Sequence, residues 1–424
     1  MSIFWVSSLV IFIIILYFIG KSSAGIYIKK SLLPAMGIIF IASLIIYPKP
    51  AVSAASKGIH LWLDIVFPSL FPFFVASQLL SKSGIIRLFG ILLEPVMRPL
   101  FNVPGCGSFA LAMGIVSGYP VGASITADLR KQELITRVEA ERLLTFTNNS
   151  GPLFIMGAVA VGMFRLPAAG YLLYASHVAA CITVGLIFRY YKRRHNPRKR
   201  AQIKMSQSIR LELQKLRNTD INPWKLFGEC IQSSISTILT IGGFIIFFSV
   251  LINIMIASGL ISALCSLVPG FTADLGLEPK TLEGLLCGFF EITTGANLIN
   301  LSSSALAVKL CSASMIIGWA GFSVHTQVMS IVSSSDIGVK PYLAGKALQG
   351  IISCFYTFVG YKLFSRLLTA GVPVFASGSG GYSAGWSNIL KGSVGYILAV
   401  TSAMAVVSIA YICISNIFFR KKLF

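Results

Sequence analysis

Charge is scarce in this sequence: Asp, Glu, Lys and Arg make up only 12% of its 424 residues, about half the share found in a soluble chain. Too few charges to wet a surface of this size, set beside 55% hydrophobic residues, exclude a soluble enzyme and a disordered chain. Acidic residues are scarcer still, 14 against 35 Lys and Arg. Cysteine comes without a CxxC pair: the eight stand at 106, 181, 230, 265, 287, 311, 354 and 413, mostly within apolar stretches. They read as small buried hydrophobes, with no zinc or redox motif and no cofactor implied. There are four His, and His60 and His177 show no partner spacing, so no chemistry is assigned to them.

What the sequence has is long apolar runs, at about 3–20, 32–48, 62–81, 168–190, 232–257, 343–365 and 392–418. Each is long enough to cross a bilayer. The first has no basic residue before it and Lys21, Lys29 and Lys30 after it, the reverse of a secretory leader. It is expected to stay as an anchor with its N-terminus outside.

Between 105 and 165, and again between 281 and 332, Gly, Ser, Thr, Asn and Pro break the apolar character. If 105–128 enters, turns at Gly118-Tyr119-Pro120 and returns, the basic loops fall on one side. That side then holds 27 of the 35 Lys and Arg, including the pair Lys340 and Lys346 and twelve in 189–225. Nine crossings and two re-entrant hairpins follow, with the C-terminus inside. The charge itself is assigned to anionic lipid at the cytoplasmic face and not to nucleic acid. Residues 210–217 (RLELQKLR) could form a short interfacial helix, and the Gly/Ser stretch 376–388 reads as an outside loop. Asp128–Arg142, with four acids and four bases, reads as a solvated loop. Pro68 and Pro72 predict a bent helix.

Two windows 173 to 175 residues apart read alike. Ser83-Gly84 matches Ser258-Gly259, Gly118–Ala123 stands opposite Glu291–Ala296, and the break at Asn148–Pro152 has its counterpart at Gly318–Ser323. Each unit holds an odd number of crossings, so the second enters the membrane inverted. The division expected is 1–61, N-terminal transmembrane helices; 62–190, first repeat; 191–231, basic cytoplasmic loop; 232–365, second, inverted repeat; 366–424, outside loop and last helix. Inverted repeats with broken helices are the architecture of secondary transporters.

Non-helical backbone at membrane depth survives only where protein or a water-filled cavity covers it, so the breaks are candidate site walls. Helix N-termini there offer N–H donors and partial positive charge suited to carboxylate or phosphate. The first repeat offers Tyr119, Thr147, Asn148, Asn149 and Ser150; the second offers Thr293, Thr294, Asn297 and Ser323, with Gln327 following. Glu291, the one acid in 284–335, and His325 are candidates for coupling or substrate binding, Lys309 being the alternative partner for Glu291. No nucleophile with a matched base and no metal cluster is legible, so neither catalysis nor a metal is expected.

The segments FPSLFPFF (67–74), SGYPVGA (117–123), TNNSGPLFI (147–155) and GFSVHTQ (321–327) resemble the bacterial sporulation integral membrane proteins of the YlbJ or SpoVV type. That family has paired nucleoside-recognition (Gate) domains and is distantly similar to concentrative nucleoside transporters. The resemblance implies an all-α polytopic fold with re-entrant hairpins and an elevator-like movement. It also implies transport of dipicolinic acid from the mother cell across the outer forespore membrane, the cell membrane being the other location. The polar-acidic hairpin sequences that bind nucleoside in the distant relatives are not reproduced at 117–123. A gated anion channel and a nucleoside-type transporter are the competing readings, with a membrane enzyme or scaffold a further class. The partners expected are the anion and the bilayer, and a homo-oligomer is left open.

Overall fold

The computed structural model describes residues 24–83, 85–192, 222–266 and 277–369. These are helical, with no strand among them. The runs at 3–20 and 392–418, the segment 193–221 with its RLELQKLR stretch, and the Gly/Ser stretch 376–388 lie outside the described residues.

Helix Ala24–Ile46 ends in a corner, and the axis turns by 104° before the next helix. Pro48 and Pro50 explain it. A residue before proline is steered out of the helical region, and Tyr47 adopts φ −119° and ψ 56°. A proline in the first helical turn is well tolerated, so the chain restarts as helix at once. It then runs unbroken through Pro48–His60, a π-helical turn at Leu61–Val66, and Phe67–Lys82. The division expected at 61/62 therefore falls inside a helix, and Pro68 and Pro72 stand in the first turns of Phe67–Lys82, directly after the wide turn. In the second half, helix Pro223–Ala257 likewise starts before 232, capped by the Asn222 side chain, which accepts from the N–H of Trp224 and Lys225.

These two rods start 175 residues apart, at 48 and 223, and end 175 apart, at 82 and 257. They pack antiparallel, in close contact at Gly58 and Gly242. A Cβ on Gly242 would stand 2.5 Å from the Trp62 indole, and one on Gly58 would stand 3.1 Å from the Ile246 backbone. Trp62 Nε1 donates to the Ile238 carbonyl (3.0 Å) and Ser249 Oγ to that of Ala54 (3.0 Å). Close backbone approach and such polar bonds hold helices together where lipid supplies no hydrophobic drive.

The same order of elements follows each rod. A helical hairpin (Gly107–Ser117 with Val121–Lys131) has its counterpart in Pro279–Phe290 with Ile292–Leu301. A broken span (Arg137–Thr147, then Leu153–Met163) matches Leu306–Trp319 with Gly321–Val332, and helix Pro167–Phe188 matches Lys340–Thr369. Contacts between the halves are reciprocal: the second leg of each hairpin packs on the second piece of the other half's broken span. Asn300 Nδ2 donates to the Met163 carbonyl (2.9 Å) at one of these contacts. The broken span is interior: 61% of the apolar stretch of 306–332 is buried against 33% for Pro223–Ala257. The protein is an all-α, multi-pass membrane protein.

Asp128–Arg142 is not a solvated loop. Thr136 and Glu139 form a capping box that starts helix Arg137–Thr147, and Glu139, Glu141 and Arg142 are buried. Arg98 bridges Glu94 (2.9 Å) and Glu139 (2.5 Å), while Glu141 receives Arg137 (3.0 Å) and Lys192 (3.1 Å). Arg142 donates to the Asn102 and Tyr191 carbonyls. Opposite charges four apart, as at Arg137 and Glu141, pair on one helix face and need less water than their number suggests.

Candidate functional site

Helix Arg137–Thr147 stops at Asn148, which is extended (φ −91°, ψ 91°), and Pro152 opens the next piece. The stop is buttressed by the first hairpin. A Cβ on Gly114 or Gly122 would lie 1.8 or 1.9 Å from the Thr147 carbonyl oxygen, so only glycine fits in either hairpin leg. At the tip, Gly118 has φ +92°, and a Cβ there would stand 2.7 Å from Gly151 N. The Tyr119-Pro120 peptide is cis. The second break is built in the same way: Ala320 (φ +79°) and Gly321 (φ +76°) interrupt the helix, and Trp319 Nε1 donates to the Phe289 carbonyl in the second hairpin (3.0 Å). The tip of the first hairpin is tied to the second broken span by Tyr119, whose hydroxyl donates to the Ile317 carbonyl (2.7 Å).

The first break is the centre of a buried polar cluster. Thr147 Oγ1 lies 3.3 Å from Thr126 Oγ1 and donates to the Leu143 carbonyl (2.9 Å). Asn148 Nδ2 donates to the Tyr342 hydroxyl (3.1 Å), which is also 3.1 Å from His325 Nδ1. Asn149 Nδ2 donates to the Phe146 carbonyl (2.8 Å), and its Oδ1 accepts from Gln349 Nε2 (2.9 Å). The Ser150 N–H donates to His177 Nε2 (3.1 Å). Lys346 Nζ donates to the Asn148 carbonyl (3.0 Å) and to Gln349 Oε1 (2.7 Å), and it lies 5.6 Å from the Tyr119 ring centre. One network thus joins hairpin, both broken spans and both long helices.

Of the residues expected from the sequence, Tyr119, Thr147, Asn148, Asn149, Ser150 and His325 come together here. Ser323 and Gln327 are buried nearby on the helix that carries His325. Glu291, Thr293, Thr294 and Asn297 stand apart at the second hairpin, with no hydrogen bond to this cluster among the described residues. Glu291 is the N-cap of helix Ile292–Leu301, its carboxylate accepting from the N–H of Thr293 and Thr294 (2.7 Å each). It does not pair with Lys309, which donates to the Asn300 carbonyl (3.0 Å). Asn297 is exposed.

The sequence reading missed four members: His177, Tyr342, Lys346 and Gln349. Lys346, expected among the cytoplasmic loop charges, is fully buried in helix Lys340–Thr369. The signal was periodicity. Tyr342, Lys346, Gln349, Ser353 and Thr357 fall every three to four residues on one face, and all five are fully buried. Below the cluster this face continues through Ser353 and Ser314, whose hydroxyls lie 2.7 Å apart, to Thr357, which donates to Ser314 (2.7 Å).

A break in hydrocarbon, covered by protein and lined with neutral donors, is suited to holding a polar solute out of contact with lipid. Residues 63–166, which contain the first hairpin and the first break, match the family model described as Gate, nucleoside recognition. No solved structure matches the chain. Over 340 residues it is 40% identical to the sporulation integral membrane protein YlbJ of Bacillus subtilis (strain 168), spanning 79% of this chain and 83% of that protein. The chain belongs to the YlbJ family of sporulation integral membrane proteins.

Proposed function

We propose that this protein is a secondary transporter of a small organic anion, dipicolinate foremost, carried from the mother cell across the outer forespore membrane. The observation that supports this reading is the meeting of both broken spans and a hairpin tip at one buried polar cluster. It is bridged between the halves by Lys346 to the Asn148 carbonyl and Gln349 to Asn149 Oδ1. Broken helices that meet between two like halves are where secondary transporters hold substrate. In this reading the second half is inverted, the N-terminus is outside and the C-terminus cytoplasmic. Thr293, Thr294, Asn297 and Ser323 then meet the substrate at another stage of the cycle. Purified protein in proteoliposomes should take up labelled dipicolinate with saturation and with counterflow. A flux that rises linearly with concentration and shows no counterflow would make it a channel, and absence of any flux would remove the transport reading.

A further inference from the structure

Resting on that transport reading, we infer that the cluster holds one negative charge, matched by Lys346, and takes a dicarboxylate as its singly protonated monoanion. A proton therefore travels with the substrate.

Three observations carry this. First, Lys346 is fully buried, and none of the ion pairs among the described residues includes it. Its two acceptors are a backbone carbonyl and an amide, both neutral. The titratable groups around it are Tyr119 from the hairpin, His177 and Cys181 from helix Pro167–Phe188, His325 from Gly321–Val332 and Tyr342 on its own helix. None is a carboxyl group. An ammonium buried without an opposite charge is strongly unfavourable, and an anion beside it removes that penalty.

Second, four buried side-chain atoms around the cluster have no hydrogen-bond partner: Ser117 Oγ, Asn148 Oδ1, His177 Nδ1 and His325 Nε2. Their hydrogens follow from the bonds the other atoms make. His177 Nε2 accepts from the Ser150 N–H, which puts its hydrogen on Nδ1. The Tyr342 hydroxyl is shared between Asn148 Nδ2, from which it accepts, and His325 Nδ1, and His325 Nε2 is a donor in the tautomer in which that hydroxyl gives its hydrogen to Nδ1. The unpartnered set thus holds the His177 Nδ1–H donor and the Ser117 hydroxyl, with Asn148 Oδ1 as an obligate acceptor.

Third, this inventory matches a half-ionised dicarboxylic acid. The ionised carboxylate takes donors and the lysine; the protonated carboxyl has one O–H, and Asn148 Oδ1 accepts it. A dianion would leave that oxygen facing another acceptor and one charge unbalanced.

The test is calorimetric binding to the full-length protein in nanodiscs, in buffers of different ionisation enthalpy. The probes are pyridine-2,6-dicarboxylate, pyridine-2-carboxylate, inorganic phosphate and uridine. The dicarboxylate should take up about one proton more than the monocarboxylate at neutral pH. The difference is diagnostic because any proton gained by Lys346 is common to both ligands. Lys346→Met should weaken both carboxylates by about 100-fold, the scale of one charge-assisted bond, with the thermal midpoint held within a few degrees. Asn148→Leu should weaken the dicarboxylate more than the monocarboxylate and abolish the difference in proton uptake between them.

Equal proton uptake for the two carboxylates, or carboxylate binding indifferent to Lys346→Met, would overturn the inference. So would phosphate binding as tightly as the dicarboxylate, or a collapse of the thermal midpoint in Lys346→Met, which would make the lysine structural. Uridine bound and transported with no response to Lys346→Met would sink the charge match while leaving a transporter. No uptake of any probe in proteoliposomes would instead sink the transport reading itself.

Discussion

Arg130 and Asp336 lock together fork to fork: Nε and Nη2 of the guanidinium donate to the two carboxylate oxygens, each at 2.8 Å. One stands at the end of the first hairpin and the other in the loop before helix Lys340–Thr369, so the pair ties the two halves together outside the buried cluster. The hydrogen bond from Arg130 holds the Asp336 carboxyl below its ordinary value, with Arg137 adding to it. A lowered carboxylate contributes its stability above the unfolded value, about 3.9, and loses it as pH falls through the folded one. Both side chains are partly exposed, so the pair contributes about 1 kcal/mol or less. Asp336→Asn should lower the thermal midpoint slightly at pH 7, and the gap to wild type should close as pH falls below the unfolded value and through the lowered folded one. A gap that persists in acid would show that the carboxylate's charge is not what matters.

Asn149 sits where three elements meet, so Asn149→Leu should abolish dipicolinate uptake while the protein still inserts. The change removes the donor to the Phe146 carbonyl and the acceptor for Gln349, leaving buried polar groups without partners at about 1–3 kcal/mol each. Normal uptake in proteoliposomes would remove Asn149 from the site. Spores with full dipicolinate after apolar replacement of both Asn148 and Asn149 would point to a scaffold.

The glycines separate into two groups. Gly122→Ala puts a methyl 1.9 Å from the Thr147 carbonyl oxygen, and Gly118→Ala adds left-handed strain to a 2.7 Å clash with Gly151 N. Both should lose folded protein on size-exclusion chromatography. Nothing lies within 4 Å of a Cβ on Gly228, in helix Pro223–Ala257. Gly228→Ala should therefore keep or gain up to about 1 kcal/mol from helix propensity.

Glu291 is a helix cap whose two carboxylate oxygens each accept one amide, from Thr293 and Thr294, and Glu291→Gln keeps one of these acceptors. The expected result is unchanged pH and ion dependence of uptake, with Glu291→Ala costing about 1 kcal/mol of stability. A shifted pH or ion profile in Glu291→Gln would give this residue the coupling role.

Much of the fold is legible in the sequence because it rests on local signals. Gly118-Tyr119-Pro120 marks a turn, Asn148–Pro152 marks a stop, and both recur about 173 residues on. The site was legible only in half. Asn148, Asn149 and Ser150 announce themselves by interrupting a helix, whereas Lys346 and Gln349 sit in an unbroken one and differ from surface residues only in the face they occupy. His177 is silent for the same reason, its partner being a backbone N–H 27 residues away. The acids and bases of 128–142 were misjudged because pairing depends on geometry that a count of charges does not contain. Asp336, for example, is 206 positions from Arg130.

The equal length of the two paired rods has one more consequence. Thirty-five residues of helix reach about 52 Å, well beyond the ~30 Å of hydrocarbon in a bilayer. The excess has to be taken up by a steep lean or by projection among the headgroups. Because both rods carry the same surplus, turning the molecule over leaves the thickness it imposes on the surrounding leaflets the same.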